Sequence, residues 1–216
     1  MNDVIKFIED NKVMVICRGL YDEDLIKVMD ALYAGGIRLA EVTFDQNDLD
    51  TVKKTAAAIR QLKEKYPDMK VGSGTVTSEE QVKATKQAGG EFCLSPNVNV
   101  QVIKATKKEG LVSIPGALTP TEILQAHEAG ADIVKIFPAG WLGLRYLKDI
   151  KGPINHVKFL AAAGINEENF ADFLKAGYCA VGISGRLFDS KVIEQQDYAE
   201  LTRRAQIFVK IAKENQ

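Results

Sequence analysis

Ala129-Gly130-Ala131-Asp132-Ile133-Val134-Lys135-Ile136-Phe137-Pro138 holds one complete helix-to-strand transition. Gly130 supplies the left-handed backbone that ends a helix, and the chain then enters a short apolar run from Ile133 to Phe137. A run of this length, bounded by a glycine turn and a proline, reads as a buried strand. The same order recurs along the chain: an amphipathic stretch, a glycine turn, then a strand. Further helix stops are AlaGlyGly at 34–36 and 88–90, GluGly at 109–110 and AlaGlyTyr at 176–178.

This rhythm predicts eight strands, at 13–17, 39–44, 70–76, 91–95, 111–115, 133–137, 157–161 and 180–183. Helices are expected at 22–34, 48–65, 78–88, 99–109, 120–129, 143–150, 166–176 and 197–213. The helix at 48–65 carries Leu49, Val52, Ala56, Ile59, Leu62 and Tyr66 as an apolar stripe. Asp22, Thr77 or Ser78, Thr119 and Asn166 are candidate N-caps, each followed by acidic residues that complement the positive end of a helix. Eight βα units in 216 residues predict one domain over residues 1–216. Its expected fold is α/β, a single (β/α)8 TIM barrel with an additional N-terminal helix, in preference to an open doubly wound sheet.

Composition excludes several classes of function. Lys plus Arg number 28 against 29 Asp plus Glu, so no field strong enough to gather nucleic acid is expected. No run is long and apolar enough for a membrane span, and acidic Asp3, Glu9 and Asp10 stand where a signal peptide is basic, so a cytoplasmic protein without a membrane partner is expected. Cys17, Cys93 and Cys179 are odd in number and set in apolar stretches, which reads as buried thiols rather than a disulfide framework. His127 and His156 have no metal-ligand spacing, and neither a metal nor a cofactor is expected.

In a barrel of this kind ligands meet the carboxyl ends of the strands. Lys135 lies in an apolar strand, where an unpaired ammonium is costly and a lowered pKa is one remedy. A neutral amine there can attack a ketone and form an iminium that accepts electrons from a breaking carbon–carbon bond. A strand-end lysine paired with a carboxylate or reaching solvent is the plainer alternative. Glu41, in Leu39 to Phe44, is placed for proton transfer or for a salt bridge with Lys135 or Arg18. GlySerGlyThrVal at 72–76, SerProAsn at 95–97 and ProGlyAla at 115–117 are turns at strand ends, explained equally by turn chemistry and by close approach of a substrate. Ala163, Gly164 and Ile165 after the seventh strand, and Gly182, Ile183, Ser184, Gly185 and Arg186 after the eighth, offer backbone amides and the Ser184 hydroxyl to an anion such as phosphate, or serve as ordinary turn caps. Trp141, Leu142 and Leu144 cover the mouth, join a subunit interface or pack beneath a loop.

With these segments assembled, the chain resembles the 2-keto-3-deoxy-6-phosphogluconate (KDPG) and 4-hydroxy-2-oxoglutarate (KHG) aldolase family. AlaGluValThrPhe at 40–44, GlySerGlyThrVal at 72–76, PheCysLeuSerProAsn at 92–97, IleProGlyAlaLeuThrProThrGlu at 114–122 and ValLysIlePheProAla at 134–139 carry the resemblance, in that order. It implies Lys135 as the Schiff-base lysine and Glu41 as the acid/base. It implies Thr75, Pro96 and Phe137 around the pyruvate end, and Ser184 with the backbone at Gly164 and Gly182 around a phosphate. It further implies a homotrimer, with a 4-hydroxy-2-oxo acid, pyruvate and an aldehyde as the small-molecule partners.

The chain departs from the family pattern twice. Asp45 stands where the family has an arginine that holds the substrate carboxylate, and Arg18 is the expected substitute unless it pairs with Glu41 or Asp45. AlaAlaAlaGly at 161–164 replaces ProThrGlyGly in the substrate pocket, so Ala162 lacks a hydroxyl and Ala163 adds a methyl group where the family pattern implies a close backbone approach. Cleavage of KDPG is the leading expectation, and a nonphosphorylated 4-hydroxy-2-oxo acid such as KHG is the alternative substrate. A sugar-phosphate isomerase or epimerase and a noncatalytic sugar-phosphate-binding barrel are the competing functions.

Overall fold

The computed structural model describes residues 2–215. Parallel strands β1 (Val13–Cys17), β2 (Leu39–Thr43), β3 (Lys70–Gly74), β4 (Phe92–Leu94), β5 (Val112–Ile114), β6 (Gly116–Ala117), β7 (Val134–Ile136), β8 (Phe159–Ala162) and β9 (Ala180–Ile183) run in the order β5-β4-β3-β2-β1-β9-β8-β7-β6. The fifth expected strand, at 111–115, is observed as β5, which pairs with β4, and the ProGlyAla segment expected as a turn instead continues it past Pro115 as β6, which pairs with β7. Proline has no amide to donate, but its carbonyl still accepts from Lys135 N at 2.8 Å, so the sheet closes through the break. The result is a (β/α)8 TIM barrel with an additional N-terminal helix.

Helices α1 (Asn2–Asn11), α2 (Asp22–Ala34), α3 (Thr51–Lys65), α4 (Glu79–Gln87), α5 (Val100–Lys108), α6 (Pro120–Glu128), α7 (Ala139–Lys151), α8 (Phe170–Ala176), α9 (Ser190–Glu194) and α10 (Tyr198–Glu214) accompany the strands. Thr119 closes a full capping box with Glu122, and the Ser78 side chain caps α4. Asp22 is the first residue of α2 and makes no cap, with Tyr21 in the capping position. Asn166 receives the amides of Glu168 and Asn169 at 2.9 and 3.1 Å, yet it caps only a turn, because α8 begins at Phe170. Leu49 leaves the expected apolar stripe: it is fully exposed, since α3 starts only at Thr51. The helix expected at 143–150 begins earlier, at Ala139, and bends at Gly143, whose φ is 71°.

Two cores follow from strand alternation. Val13, Val15, Ala40, Val42, Val134 and Ile136 face outward and pack under the helices. Met14, Leu39, Phe92, Val112, Ile133, Leu160 and Ala180 face inward, and α1 lays Ile8 on the same cluster, covering the end of the barrel away from the strand carboxyl termini. Of the three free cysteines, Cys17 and Cys93 are buried and Cys179 half-buried.

Phe92 enters the interior beside Gly72, where an added Cβ would lie 2.2 Å from the Phe92 ring and 2.3 Å from its carbonyl oxygen. The backbone cannot yield as a side-chain tip does. Gly72→Ala is expected to lower the unfolding free energy by about 3 kcal/mol, at the upper end of overpacking costs, as read from urea denaturation midpoints. A loss within about 0.5 kcal/mol, typical of a surface substitution, would show that the interior is looser than this packing implies.

Candidate active site

Alternation also aims the ionisable residues. Lys135 lies between outward-facing Val134 and Ile136, and Glu41 between outward-facing Ala40 and Val42, so both point into the barrel. They open on a cavity of about 580 Å³ at the strand carboxyl ends. Arg18, Thr75, Pro96 and Phe137 join them from the ends of β1, β3, β4 and β7, and Ala162, Ala163, Gly164, Gly182 and Ser184 from the ends of β8 and β9. Every site residue expected from the sequence except Ile183 lines this one space.

Its electrostatics are set by burial. Glu41 and Lys135 are only 3% and 8% exposed. Burial pushes the Lys135 amine below the ordinary lysine value and Arg18 pushes it further down, while Glu41 pulls it back up. Burial pushes the Glu41 carboxyl above its ordinary value, opposed by Lys135, Arg18 and a hydrogen bond from the Thr43 hydroxyl at 3.4 Å. Among the described residues, Glu41 has no lysine or arginine nitrogen within 4.0 Å, so the simple salt bridge is not formed. Its Oε2 is buried without a hydrogen-bond partner. Glu41 and Lys135 are thus two desolvated groups facing open space.

Gly74 makes this arrangement possible. A Cβ at that position would lie 1.5 Å from Glu41 Oε1, so any side chain would evict the carboxylate. The next residue, Thr75, has φ 55°, a conformation costly for a β-branched residue. Its carbonyl accepts from Gln46 Nε2 at 3.0 Å, and Gln46 Oε1 in turn accepts from the Thr77 hydroxyl at 2.8 Å. Gln46 was not singled out from the sequence, because a glutamine beside a turn has no signature of its own.

Across the cavity Ala163 is also left-handed, with φ 72°, followed by Gly164 at 77°. The close backbone approach occurs one residue later than the family pattern implies: a Cβ on Gly140 would lie 2.7 Å from Gly164 Cα. Gly140 N donates to Ala163 O at 2.9 Å, which pins the loop to the start of α7. Among the described residues, the amides of Gly164, Ile165, Gly185 and Arg186 have no acceptor within the chain. Ser184 Oγ donates only a long bond, 3.5 Å, to Ile16 O.

Arg18 and Asp45 separate cleanly. Asp45 is exposed and outside the cavity lining, where Oδ1 receives the Asn47 amide at 3.0 Å. Arg18 lines the cavity and forms no ion pair within 4.0 Å among the described residues. Ile16, Ile165, Gly185 and Arg186 complete the lining. Ile16 is legible as the inward neighbour of Met14, and the turn carrying Gly185 and Arg186 as a backbone anion site, whereas the direction of the Arg186 side chain is not, because period-two alternation ends with the strand. Trp141 packs beneath no loop and is 89% exposed. Among the described residues, no helix is long and apolar enough to cross a membrane.

A buried amine and a buried carboxyl facing one cavity are groups able to form an iminium and to move protons, and known proteins share the frame that holds them. Residues 4–204 match the family model for KDPG and KHG aldolase. A probable 2-dehydro-3-deoxy-6-phosphogalactonate aldolase of Rhizobium meliloti is 32% identical over 83% of this chain and 82% of its own. The KHG/KDPG aldolase of Escherichia coli K12 is 31% identical over 88% and 87%. KDPG aldolase from Legionella pneumophila, with pyruvate captured at low pH as a covalent carbinolamine, superposes with a TM-score of 0.82 at 27% identity, covering 94% of this chain and 96% of that one. Sequence and architecture agree that the chain belongs to the KDPG and KHG aldolase family and is a class I aldolase.

Proposed function

We propose that this aldolase cleaves a 4-hydroxy-2-oxo acid through a Schiff base on Lys135, with KDPG as the substrate and pyruvate and glyceraldehyde 3-phosphate as products. The observation that carries the reading is the burial of an amine, lowered in pKa, at the cavity floor opposite a buried carboxyl. Lys135 Nζ adds to the C2 ketone, and loss of water leaves an iminium. Glu41, directly or through water, takes the C4 hydroxyl proton. The C3–C4 electron pair moves to the iminium, releasing the aldehyde and leaving an enamine. Glu41 returns a proton to C3, and hydrolysis frees pyruvate and the amine.

Arg18 takes the substrate carboxylate in place of the family arginine, which accounts for Asp45 being tolerated outside the cavity. Thr75, Pro96 and Phe137 surround the pyruvate end. The amides at Gly164 and Gly185, with Ser184, receive the distal group near Gly182. The missing hydroxyl at Ala162 supports a second reading, a nonphosphorylated substrate such as KHG. The galactonate aldolase among the relatives adds the C4 epimer to the substrates worth comparing. Exposed Trp141 and Leu144 support assembly of the proposed homotrimer through the rim of the barrel.

Pyruvate with borohydride is expected to leave a stable adduct on Lys135 in the intact protein, located by peptide mass, and none on Lys135→Ala. A folded wild-type protein that binds pyruvate without acquiring the adduct would overturn the mechanism. Glu41→Gln is expected to keep the fold and lower turnover by about 10²- to 10⁴-fold, the usual range for a lost general acid/base. Pyruvate release from KDPG, its C4 epimer and KHG ranks the substrates, and faster cleavage of KHG would replace KDPG.

The pH dependence of trapping has a definite sign. Only the neutral amine adds to the ketone, so the rate of adduct formation rises with pH through a midpoint below the ordinary lysine value of 10.5. Arg18→Ala removes a repelling cation and is expected to raise the midpoint. Glu41→Gln removes the anion that favours the ammonium and is expected to lower it. Midpoints unmoved in both variants would mean that neither charge reaches Lys135.

A further inference from the structure

Arg186 is the cavity-lining cation that neither the mechanism nor the family resemblance uses. It stands in the turn after β9, beside the Gly185 amide and across from Gly164 and Ile165. Its guanidinium is held on one edge only: Nε donates to Glu167 Oε2 at 2.9 Å and Nη2 to Glu167 Oε1 at 3.0 Å. Among the described residues Nη1 has no partner, so the fork formed by Nη1 and the second hydrogen of Nη2 is unused.

Both ends of this pair are anchored. Arg204 Nη1 donates to Arg186 O at 3.2 Å and is itself held by Asp189 at 3.0 Å. On the other side Asn169 donates to Gly164 O at 3.1 Å and accepts the Asn166 amide at 2.9 Å, which shapes the turn carrying Glu167. A planar guanidinium fixed along one edge presents its other edge with little freedom left to lose, the geometry suited to a two-oxygen anion. The neighbouring wall is formed by the methyl groups of Ala162 and Ala163, which offer no side-chain donor.

We infer that Arg186, oriented by Glu167, determines specificity for an anionic group, phosphate or carboxylate, at the aldehyde end of the substrate. This inference rests on the proposed aldolase reading and adds to it a residue that reads charge. Arg186 touches no reacting atom, so its removal weakens binding of the aldehyde portion and leaves the chemistry at C2 to C4 unchanged.

The test runs the reaction in the synthetic direction with the full chain, pyruvate and three aldehydes: glyceraldehyde 3-phosphate, succinate semialdehyde and neutral glyceraldehyde. Arg186→Ala is expected to raise the KM for at least one anionic aldehyde roughly tenfold or more, the scale of a charge-assisted hydrogen bond, with kcat changed less than about twofold. KM for glyceraldehyde stays within about twofold on the same reasoning. Arg186→Lys, which keeps the charge and loses the fork, falls between wild type and Arg186→Ala. The anionic aldehyde with the larger effect identifies phosphate or carboxylate as the group read.

KM values that do not change with any aldehyde overturn the inference, and so do equal changes for charged and neutral aldehydes, which would reveal a purely structural ion pair. Borohydride trapping of pyruvate is measured on every variant. Normal adducts with unchanged KM values reject Arg186 alone. Absence of the adduct in wild type rejects the aldolase mechanism, and the inference with it.

Discussion

Lys135 is held in a nearly closed space with no carboxylate in contact, so the cost of desolvating an ammonium falls on the lysine itself. A contact ion pair with Glu41 would restore the charged form and remove the nucleophile. Burial biases both groups toward neutrality, and because the barrel keeps them apart, the field each exerts on the other only partly offsets that bias. Both shifts run in the direction that the proposed imine chemistry favours, an amine more readily neutral and a carboxyl more readily protonated. The rest of the mouth is arranged around maintaining that separation.

Maintaining it is largely a matter of what is left out. Gly74 vacates the volume that Glu41 Oε1 occupies, and Gly72 vacates the volume of the Phe92 ring one layer below. The GlySerGlyThr segment is therefore one spatial device, in which alternate strand positions carry no side chain so that neighbouring strands can place theirs. Thr75 continues it by turning left-handed at once, with Gln46 and Thr77 holding its carbonyl. Strain at one residue is tolerated because a network outside the cavity over-determines it.

The same distinction between strands and loops explains what could be read from the chain. Glu41 and Lys135 were legible because a period of two, anchored on Leu39 and Ile133, dictates which way they face. The barrel was legible because glycine stops recur with a fixed role. Details governed by a single local geometry were not. Asp22 has the composition of an N-cap, but the cap position falls on Tyr21. Leu49 has the spacing of a core residue, but the helix that would bury it starts two residues later. The substitution at Asp45 reads as repulsion from a substrate carboxylate, yet that side chain turns onto its own loop and leaves the cavity to Arg18. The continuation of the fifth strand past Pro115 as β6 was not legible, because ProGlyAla has the composition of a turn.

These observations divide the cavity mechanically as well as chemically. The amine and carboxyl stand on strands whose ladders fix them on both sides. The far wall is built from turns, held by Gly140 against Gly164 and by Arg186 against Glu167. A change on a strand shifts its neighbours in the sheet and disturbs the reacting groups, whereas a change in a turn alters one contact with the aldehyde portion. Ala163 and Arg186 lie in the turns after β8 and β9, so the proposed reading of the aldehyde's charge by Arg186 leaves the separation of Lys135 and Glu41 intact.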